Sequence, residues 1–280
     1  MHGNHSVTEV SRIRLDVEAP LSDYREFPAP SALKGHVLCL WTQTISKSHG
    51  GYSHRVLPDA CVDIVFINND PPAVVGPWTE SFVAGLAAGT TIVGVRFYPG
   101  RASNYLGVPA NALLNQSVTL DDLSRTLHER FLRIPDETTL AGRKAVLIAS
   151  LFDRVPQCPP KDQAVNAAIQ WLACHPSGHV RQLSAWIGLS PRQLQRRFLA
   201  AVGYGPKTFH SILRFQRLLN LAGAKHNVRT LADLAAHAGY ADQAHMTREV
   251  LRFSGAAPTV VLGSSPCTLG MAEFFESTSL

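Results

Sequence analysis

The sequence predicts an α+β chain in which a mostly β domain, a sandwich or barrel with two trailing helices, precedes an all-α domain. Three observations lead there. The first hundred residues hold runs of β-branched and aromatic side chains bounded by Gly, Pro, Asn and Asp. From Leu120 onward the apolar residues instead recur at three and four. Between Val180 and Leu262 one two-helix pattern is written twice.

Each element follows from its local chemistry. Val37 to Thr44 (VLCLWTQT), Cys61 to Asn68 (CVDIVFIN) and Thr90 to Tyr98 (TTIVGVRFY) read as strands, and their spacing suggests an antiparallel sheet. Leu120 to Phe131 and Thr139 to Phe152 each place their apolar residues on one helical face. Val155 to Pro160 (VPQCPP) stops any helix, because proline has no amide donor and restricts the residue before it. The expected organisation is a first domain over residues 1–155, a linker over 156–162, a helical domain over 163–262 and a tail over 263–280.

In the helical domain, Gln163 to Ala173 forms a supporting helix with Val165, Ile169 and Leu172 on one face. The repeat follows it. Leu183 and Gly188 recur as Leu234 and Gly239 at an offset of 51, and Leu194, Arg196, Leu199, Gly203 and Pro206 recur as Met246, Arg248, Leu251, Gly255 and Pro258 at 52. The second turn has therefore gained one residue. Each copy has a short apolar helix (Val180 to Ile187; Leu231 to Ala238), a Gly turn, a capping residue (Ser190; Asp242) and a second helix rich in Arg and Gln. That is the build of a helix-turn-helix unit, whose second helix enters the major groove. Pro206 to about Gly223 reads as one long connecting helix, some 27 Å at about 1.5 Å per residue. Two units reading one face of a duplex need a separation of about 34 Å, which such a rod and the bodies of the units can set.

Charge separates the two halves. Residues 161–262 hold 12 Lys and Arg against 4 Asp and Glu, whereas residues 1–160 hold 14 against 15. A localised surplus of positive charge attracts polyanions. The 5 cysteines are scattered, form no CxxC pair and are odd in number, which argues against a disulfide framework or zinc knuckle and for a reducing interior. Met1 to Ser6 lacks the order of a signal peptide, and no apolar run approaches the roughly 18 residues of a membrane span, so the reading is a soluble, cytoplasmic protein.

The segments SPRQLQRRFLAAVGYGPKTF (Ser190 to Phe209), ILRFQRLLNLA and GYADQAHMTREVLRFSGAAP (Gly239 to Pro258) resemble the DNA-binding domain of the AraC/XylS family of bacterial transcription regulators. The resemblance covers about 100 residues, with both units, the connecting helix and the longer second turn. LPDACVDIVF (Leu57 to Phe66) and GVRFYPGRA (Gly94 to Ala102) resemble a sensor domain found fused to this module. Two positions depart from the family pattern: Val250 stands where an aromatic is usual, and Ala244, opposite Arg192 in the repeat, stands where the residue is often polar. The first leaves the second unit either looser or dependent on Phe253; the second leaves it fewer bases to read.

On the first recognition helix Arg192, Gln195 and Arg196 share a face, at i, i+3 and i+4, while Leu194 and Phe198 share another. Arginine bonds guanine bidentately and glutamine does the same to adenine, so these three are candidate base readers. Gln243, Ala244 and Thr247 form the equivalent face of the second helix, Ala244 and Thr247 being able to pack on a thymine methyl. Arg197, Lys207, Arg214, Arg248 and Arg252 are candidate phosphate contacts, with Arg248 divided between phosphate and base. In the first domain Trp41, Tyr52, Trp78, Arg96 and Tyr98 are candidates to line a small-molecule cavity, against a filled apolar core. A metal reading of His54, Asp59, Cys61 and Asp63 lacks the paired strand histidines of a cupin site, and no metal or cofactor is expected.

The resemblance implies a non-enzymatic regulator that binds double-stranded promoter DNA and activates transcription by touching RNA polymerase, with its first domain modulating this in response to a small-molecule effector; a homodimer is compatible with it. Two rivals come from other classes. A DNA alkyl-transfer repair protein can carry the same module but needs a reactive thiolate; Cys267 follows a proline, yet Thr268 stands where a histidine is expected. A nonspecific architectural DNA binder would not need two unequal reading faces.

Overall fold

The computed structural model describes residues 21–48, 50–132, 134, 137, 139–223 and 230–263. Met1 to Ser6, the tail beyond 263 and Cys267 lie outside the described residues. The strands are β1 (Ser22–Pro28), β2 (Val37–Ile45), β3 (Tyr52–Val56), β4 (Asp63–Ile67), β5 (Ala73–Val75), β6 (Phe82–Leu86), β7 (Thr91–Phe97) and β8 (Ser117–Thr119). Six form one antiparallel sheet in the order β1-β2-β7-β4-β5-β8, and β3 pairs with β6 in a separate two-stranded antiparallel sheet. The expected strand at Cys61 to Asn68 is shorter at both ends, because Ala60 and Asn68 take left-handed backbone (φ 67° and 50°) and turn the chain.

The alternation of side chains gives the sheet two different faces. Leu40, Val93, Val95, Phe97, Ile64 and Phe66 point to one side. There they pack with Tyr105 of α1 (Ala102–Leu106), Leu120 of α2 (Leu120–Leu123), Leu127 and Phe131 of α3 (Arg125–Phe131), and Leu147 and Leu151 of α4 (Leu140–Arg154). The first trailing helix is thus broken in two, a correction to the sequence reading: Ser124 leaves the helix for extended backbone, and its hydroxyl accepts from the Leu127 amide to cap α3. Buried Arg143 of α4 is satisfied by donating to Asn68 O, Asn69 Oδ1 (2.7 Å) and Glu137 O (2.8 Å).

On the opposite face two rows of paired residues run across the strands. Glu26, Trp41, Gly94 and Val65 make one, and Cys39, Arg96 and Asp63 the next. Leu86 of β6 packs over this face with the cluster of Cys39, Trp41, Val65 and Ile92. Gly94 is required where it stands, since a Cβ there would lie 2.2 Å from the Trp41 indole.

The helical domain comprises α5 (Gln163–Cys174), α6 (Val180–Ile187), α7 (Pro191–Val202), α8 (Pro206–Gly223), α9 (Leu231–Ala238), α10 (Gln243–Ser254) and α11 (Pro258–Gly263). It leans on the first domain mainly through its first unit. α7 packs against α1 and the turn Ala110–Leu113, and Gly203 (φ +100°) sits so close that a Cβ would meet Pro77 at 2.5 Å. Arg101 donates to Asn166 of α5 at 2.9 Å, and Asn104 holds the linker through Pro159 O and Pro160 O. The core of the helical domain also takes in Leu38, Ala60 and Cys61 from the first domain.

Candidate nucleic-acid interface

Both second helices start from the caps that the sequence provides. Ser190 Oγ accepts from the Gln193 amide at 3.3 Å while Gln193 Oε1 accepts from the Ser190 amide at 3.0 Å, a reciprocal box that fixes the start of α7. Asp242 Oδ1 accepts from the His245 amide at 2.6 Å to cap α10, and Thr230 caps α9. Gly188 (φ 72°) and Gly239 (φ 91°) close the first helices in left-handed backbone, where an L side chain would be strained. Leu194, Phe198 and Val202 bury one side of α7; Met246, Val250 and Phe253 bury the same side of α10. What each helix leaves outward is therefore its polar face.

On α7 that face holds Arg192, Gln195 and Arg196, all exposed. Gln195 also rests its amide on the backbone of Gly205, where a Cβ would come within 2.5 Å of it. On α10 Gln243 and Ala244 are exposed and Thr247 is half-buried. The Thr247 hydroxyl donates to Gln243 O at 2.9 Å, which uses its proton on the helix.

The candidate phosphate contacts divide. Lys207, Arg248 and Arg252 are exposed, Arg252 with its guanidinium 5.1 Å from the Phe253 ring centre. Arg197 and Arg214 are committed within the fold. Arg197 makes a two-pronged bond to Asp162, Nε to Oδ2 at 2.7 Å and Nη2 to Oδ1 at 2.6 Å; this hydrogen bonding holds the guanidinium charge above its ordinary range and, against burial, draws Asp162 below its own. Arg214 is nearly buried, paired with Glu249 at 3.3 Å and bonded to Ser211 Oγ at 3.0 Å. Within the fold these arginines join α7 to the start of α5, and α8 to α10. Sequence spacing alone could not reveal this, because each partner lies 35 residues away.

A cleft of about 700 Å³ opens between the two units, lined among others by Arg181, Lys207, Arg214, His210, His245 and Glu249. Sequence reading missed its histidines, which come from separate elements. His210 is buried, its Nε2 2.9 Å from His175 O; burial, then the charge of Arg214, draw its pKa down to about 4.

The five candidate cavity residues of the first domain fall in three places. Trp41 and Arg96 meet at Asp63, which accepts from Trp41 Nε1 at 3.0 Å and pairs with both Nε and Nη2 of Arg96. Arg96 also faces Asp59 at 3.3 Å and Glu26 at 3.8 Å. Burial pushes Asp63 up to about 6 against the pull of Arg96. Tyr52 and Trp78 lie at the two-stranded sheet, their rings tilted against those of His54 and Phe82, and Tyr98 packs toward the helical domain. Among the described residues no group of three or more His, Cys, Asp or Glu is arranged to hold a metal ion.

Residues 183–263 match the model of a helix-turn-helix domain, which begins within α6 and runs through both units. This region is a helix-turn-helix domain. Residues 25–119 match a domain of unknown function (DUF6597), so the sheet and the helix-turn-helix domain are separately recognisable. The HTH-type transcriptional regulator RipA of Corynebacterium glutamicum is 31% identical over 116 residues, 40% of this chain and 34% of that protein. The match thus spans about a third of the relative's length. Two crystal structures of ToxT from Vibrio cholerae, an apo lysine-to-alanine variant and the wild type with unsaturated fatty acid bound, each cover 88% of this chain and 97% of their own, with 10% and 11% identity and TM-scores of 0.42 and 0.40. No helix among the described residues is long and apolar enough to cross a membrane.

Proposed function

We propose that the protein is a sequence-specific DNA-binding transcription regulator, an activator whose first domain modulates it. The observation that carries this reading is a pair of capped helices, α7 and α10, each with its apolar side buried and its polar side exposed, in the domain that holds the chain's surplus of positive charge, 12 Lys and Arg against 4 Asp and Glu. Arg192, Gln195 and Arg196 read bases in one major-groove segment and Gln243, Ala244 and Thr247 in the next. Lys207, Arg248 and Arg252 hold phosphates and fix the register. Contact with RNA polymerase, a small-molecule effector in the first domain and pairing into a homodimer belong to the same proposal.

Burial pushes Cys39 and Cys61 above the range in which a thiolate forms, so neither would serve an alkyl-transfer reaction, and Cys267, the cysteine on which that rival turns, lies outside the described residues. Footprinting on the DNA upstream of its own and neighbouring genes tests the proposal. The expected result is protection of two adjacent major-groove segments about one turn apart, with affinity falling steeply as salt rises. Equal affinity for every sequence would make the protein an architectural binder instead.

A further inference from the structure

The loop Leu57 to Cys61, part of the LPDACVDIVF segment, joins β3 to β4 and yet lies in the core of the helical domain. Ala60 and Cys61 are 2% and 4% exposed there, with Leu57 half-buried beside them. Ala60 holds φ at +67°, which an alanine adopts only when its surroundings impose it. Gln216 of α8 reaches the loop from one side, its Nε2 donating to Pro58 O at 2.6 Å. Asp59 reaches away on the other: Oδ1 accepts from the Cys61 amide at 2.9 Å, and Oδ2 pairs with Arg96 Nη2 at 3.3 Å.

We propose that Asp59 is a positioning residue for DNA binding: through Arg96 it keeps the Leu57 to Cys61 loop docked on α8, and the docked loop keeps α8 and both reading helices in the arrangement that recognises a specific site. This rests on the DNA-binding reading above. α8 is buried on almost every side, including His210, Ser211 and Gln216 among its polar residues. The two units cover part of that surface, and the loop covers the part around Gln216. Gln216 is 1% exposed and its Oε1 has no partner, so without Pro58 O both ends of a buried amide stand unpaired. The docked loop thus removes a strong reason for α8 to shift.

Arg96 makes the loop answerable to the interior of the sheet. Three carboxylates share this one guanidinium, and of their side chains Asp59 is the most exposed, 23% against 10% for Asp63 and 7% for Glu26. Asp59 is consequently the partner freest to leave when Arg96 is drawn elsewhere. A contact that differs between docked and released states couples the two sites, and the coupling is reciprocal.

The test uses the full chain. Asp59→Asn keeps an oxygen for the Cys61 amide while removing the charge that Arg96 holds, and Gln216→Met keeps the shape on α8 while freeing Pro58 O. For both, affinity for the footprinted site should fall on the order of tenfold with random-sequence binding unchanged, and amide hydrogen exchange over residues 209–219 should speed up in the absence of DNA. Asp23→Asn, an exposed carboxylate elsewhere in the sheet, should change neither. Folded variants with unchanged exchange and affinity, or with equal losses on specific and random DNA, would overturn the proposal. Should Asp59→Asn not fold, Gln216→Met carries both readouts. If the native chain prefers no sequence at all, the regulator reading fails, while the exchange measurement still decides whether the loop holds α8.

Discussion

In the first helix-turn-helix unit Phe198 of α7 meets Phe209 of α8 edge-on, with ring centres 5.3 Å apart; in the second, Phe253 of α10 meets Phe215 of the same α8 at 5.4 Å. One helix thus supplies an aromatic to each unit. Val250, which stands opposite Phe198 in the repeat, is fully buried, and Phe253 takes over the ring contact one turn later. Each ring is fully buried, worth about 1.5–3 kcal/mol, and the pairing adds about 0.5–1.5 kcal/mol.

The polar supports are not repeated in the same way. Arg197 and Glu249 occupy the same slot at the offset of 52, and each pairs with the supporting helix of its own unit, but with signs reversed: Arg197 to Asp162, Glu249 to Arg214. The first pair is about a third exposed, the second only 12–13%. The first unit, moreover, leans on the sheet domain through α7, whereas the second reaches it through Arg55, which donates to Ser254 O at 2.7 Å. Apolar packing is therefore what the duplication preserves, because the long connecting helix must accept both units; the ion pairs answer to each unit's own surroundings.

Breaking the pairs one at a time should give the largest contrast. Glu249→Gln leaves Arg214 nearly buried without a counter-charge and should cost about 3–5 kcal/mol in urea denaturation. Asp162→Asn retains the cap on the Val165 amide and breaks only the half-exposed pair, costing about 1 kcal/mol or less. Equal losses would mean that the two pairs do the same job despite their different burial.

His210 bridges the units, with its Nε2 at His175 O on α5's end and its Nδ1 toward Arg214, which pairs with the second unit. Its pKa is lowered in the folded chain, to about 4 from 6.5, so the unfolded chain takes up the proton first. Stability from this residue is whole above pH 6.5 and is lost as the pH falls toward 4. At pH 5 the loss is roughly 2 kcal/mol. Glu249, Arg214 and His179 are the charged or titratable neighbours that tune it. Asp63, raised to about 6, works in the opposite sense, gaining as the pH falls, and is common to both chains in a comparison with His210→Gln. The native chain should lose more stability than the variant between pH 7 and pH 5; parallel curves would remove His210 from the junction's pH response.

Much of this was legible in the sequence. The helices at Val180–Ile187, Pro206–Gly223 and Leu231–Ala238, and the caps at Ser190 and Asp242, follow from local rules of periodicity and capping, and the structure has them where those rules place them. The exposed polar faces follow too, as the complement of the buried Leu194, Phe198, Met246 and Val250. Short strands such as Ala73–Val75 and Ser117–Thr119 were not legible, since 3 residues carry almost no pattern and are strands only by pairing. Nor were the duties of Arg197, Arg214 and Asp59, because a charged side chain's partner is fixed by tertiary contact rather than by spacing.

The remaining expected effects concern base reading, down to the smallest at Thr247, and they bear on the comparison most directly. α7 offers two guanidinium groups and an amide, Arg192, Gln195 and Arg196, whereas the corresponding positions of α10 hold Ala244, Thr247 and Arg248. A bidentate contact discriminates among bases by about 1–3 kcal/mol, but a methyl packed on thymine contributes only dispersion and the exclusion of water. Arg192→Ala or Gln195→Ala should therefore cost about 1–3 kcal/mol on the preferred site and relax preference at particular base pairs there. Thr247→Ser, which keeps the hydroxyl bonded to Gln243 O and removes the methyl, should cost less than about 1 kcal/mol. Lys207→Ala should weaken all sequences alike and reduce the slope of log affinity against log salt by about 1. A systematic base-substitution scan of the footprinted site reads all of these at once. If the segment under α10 proved the more discriminating, Gln243 and Arg248 would have to be the principal readers, and the first unit would serve as the anchor against the sheet domain.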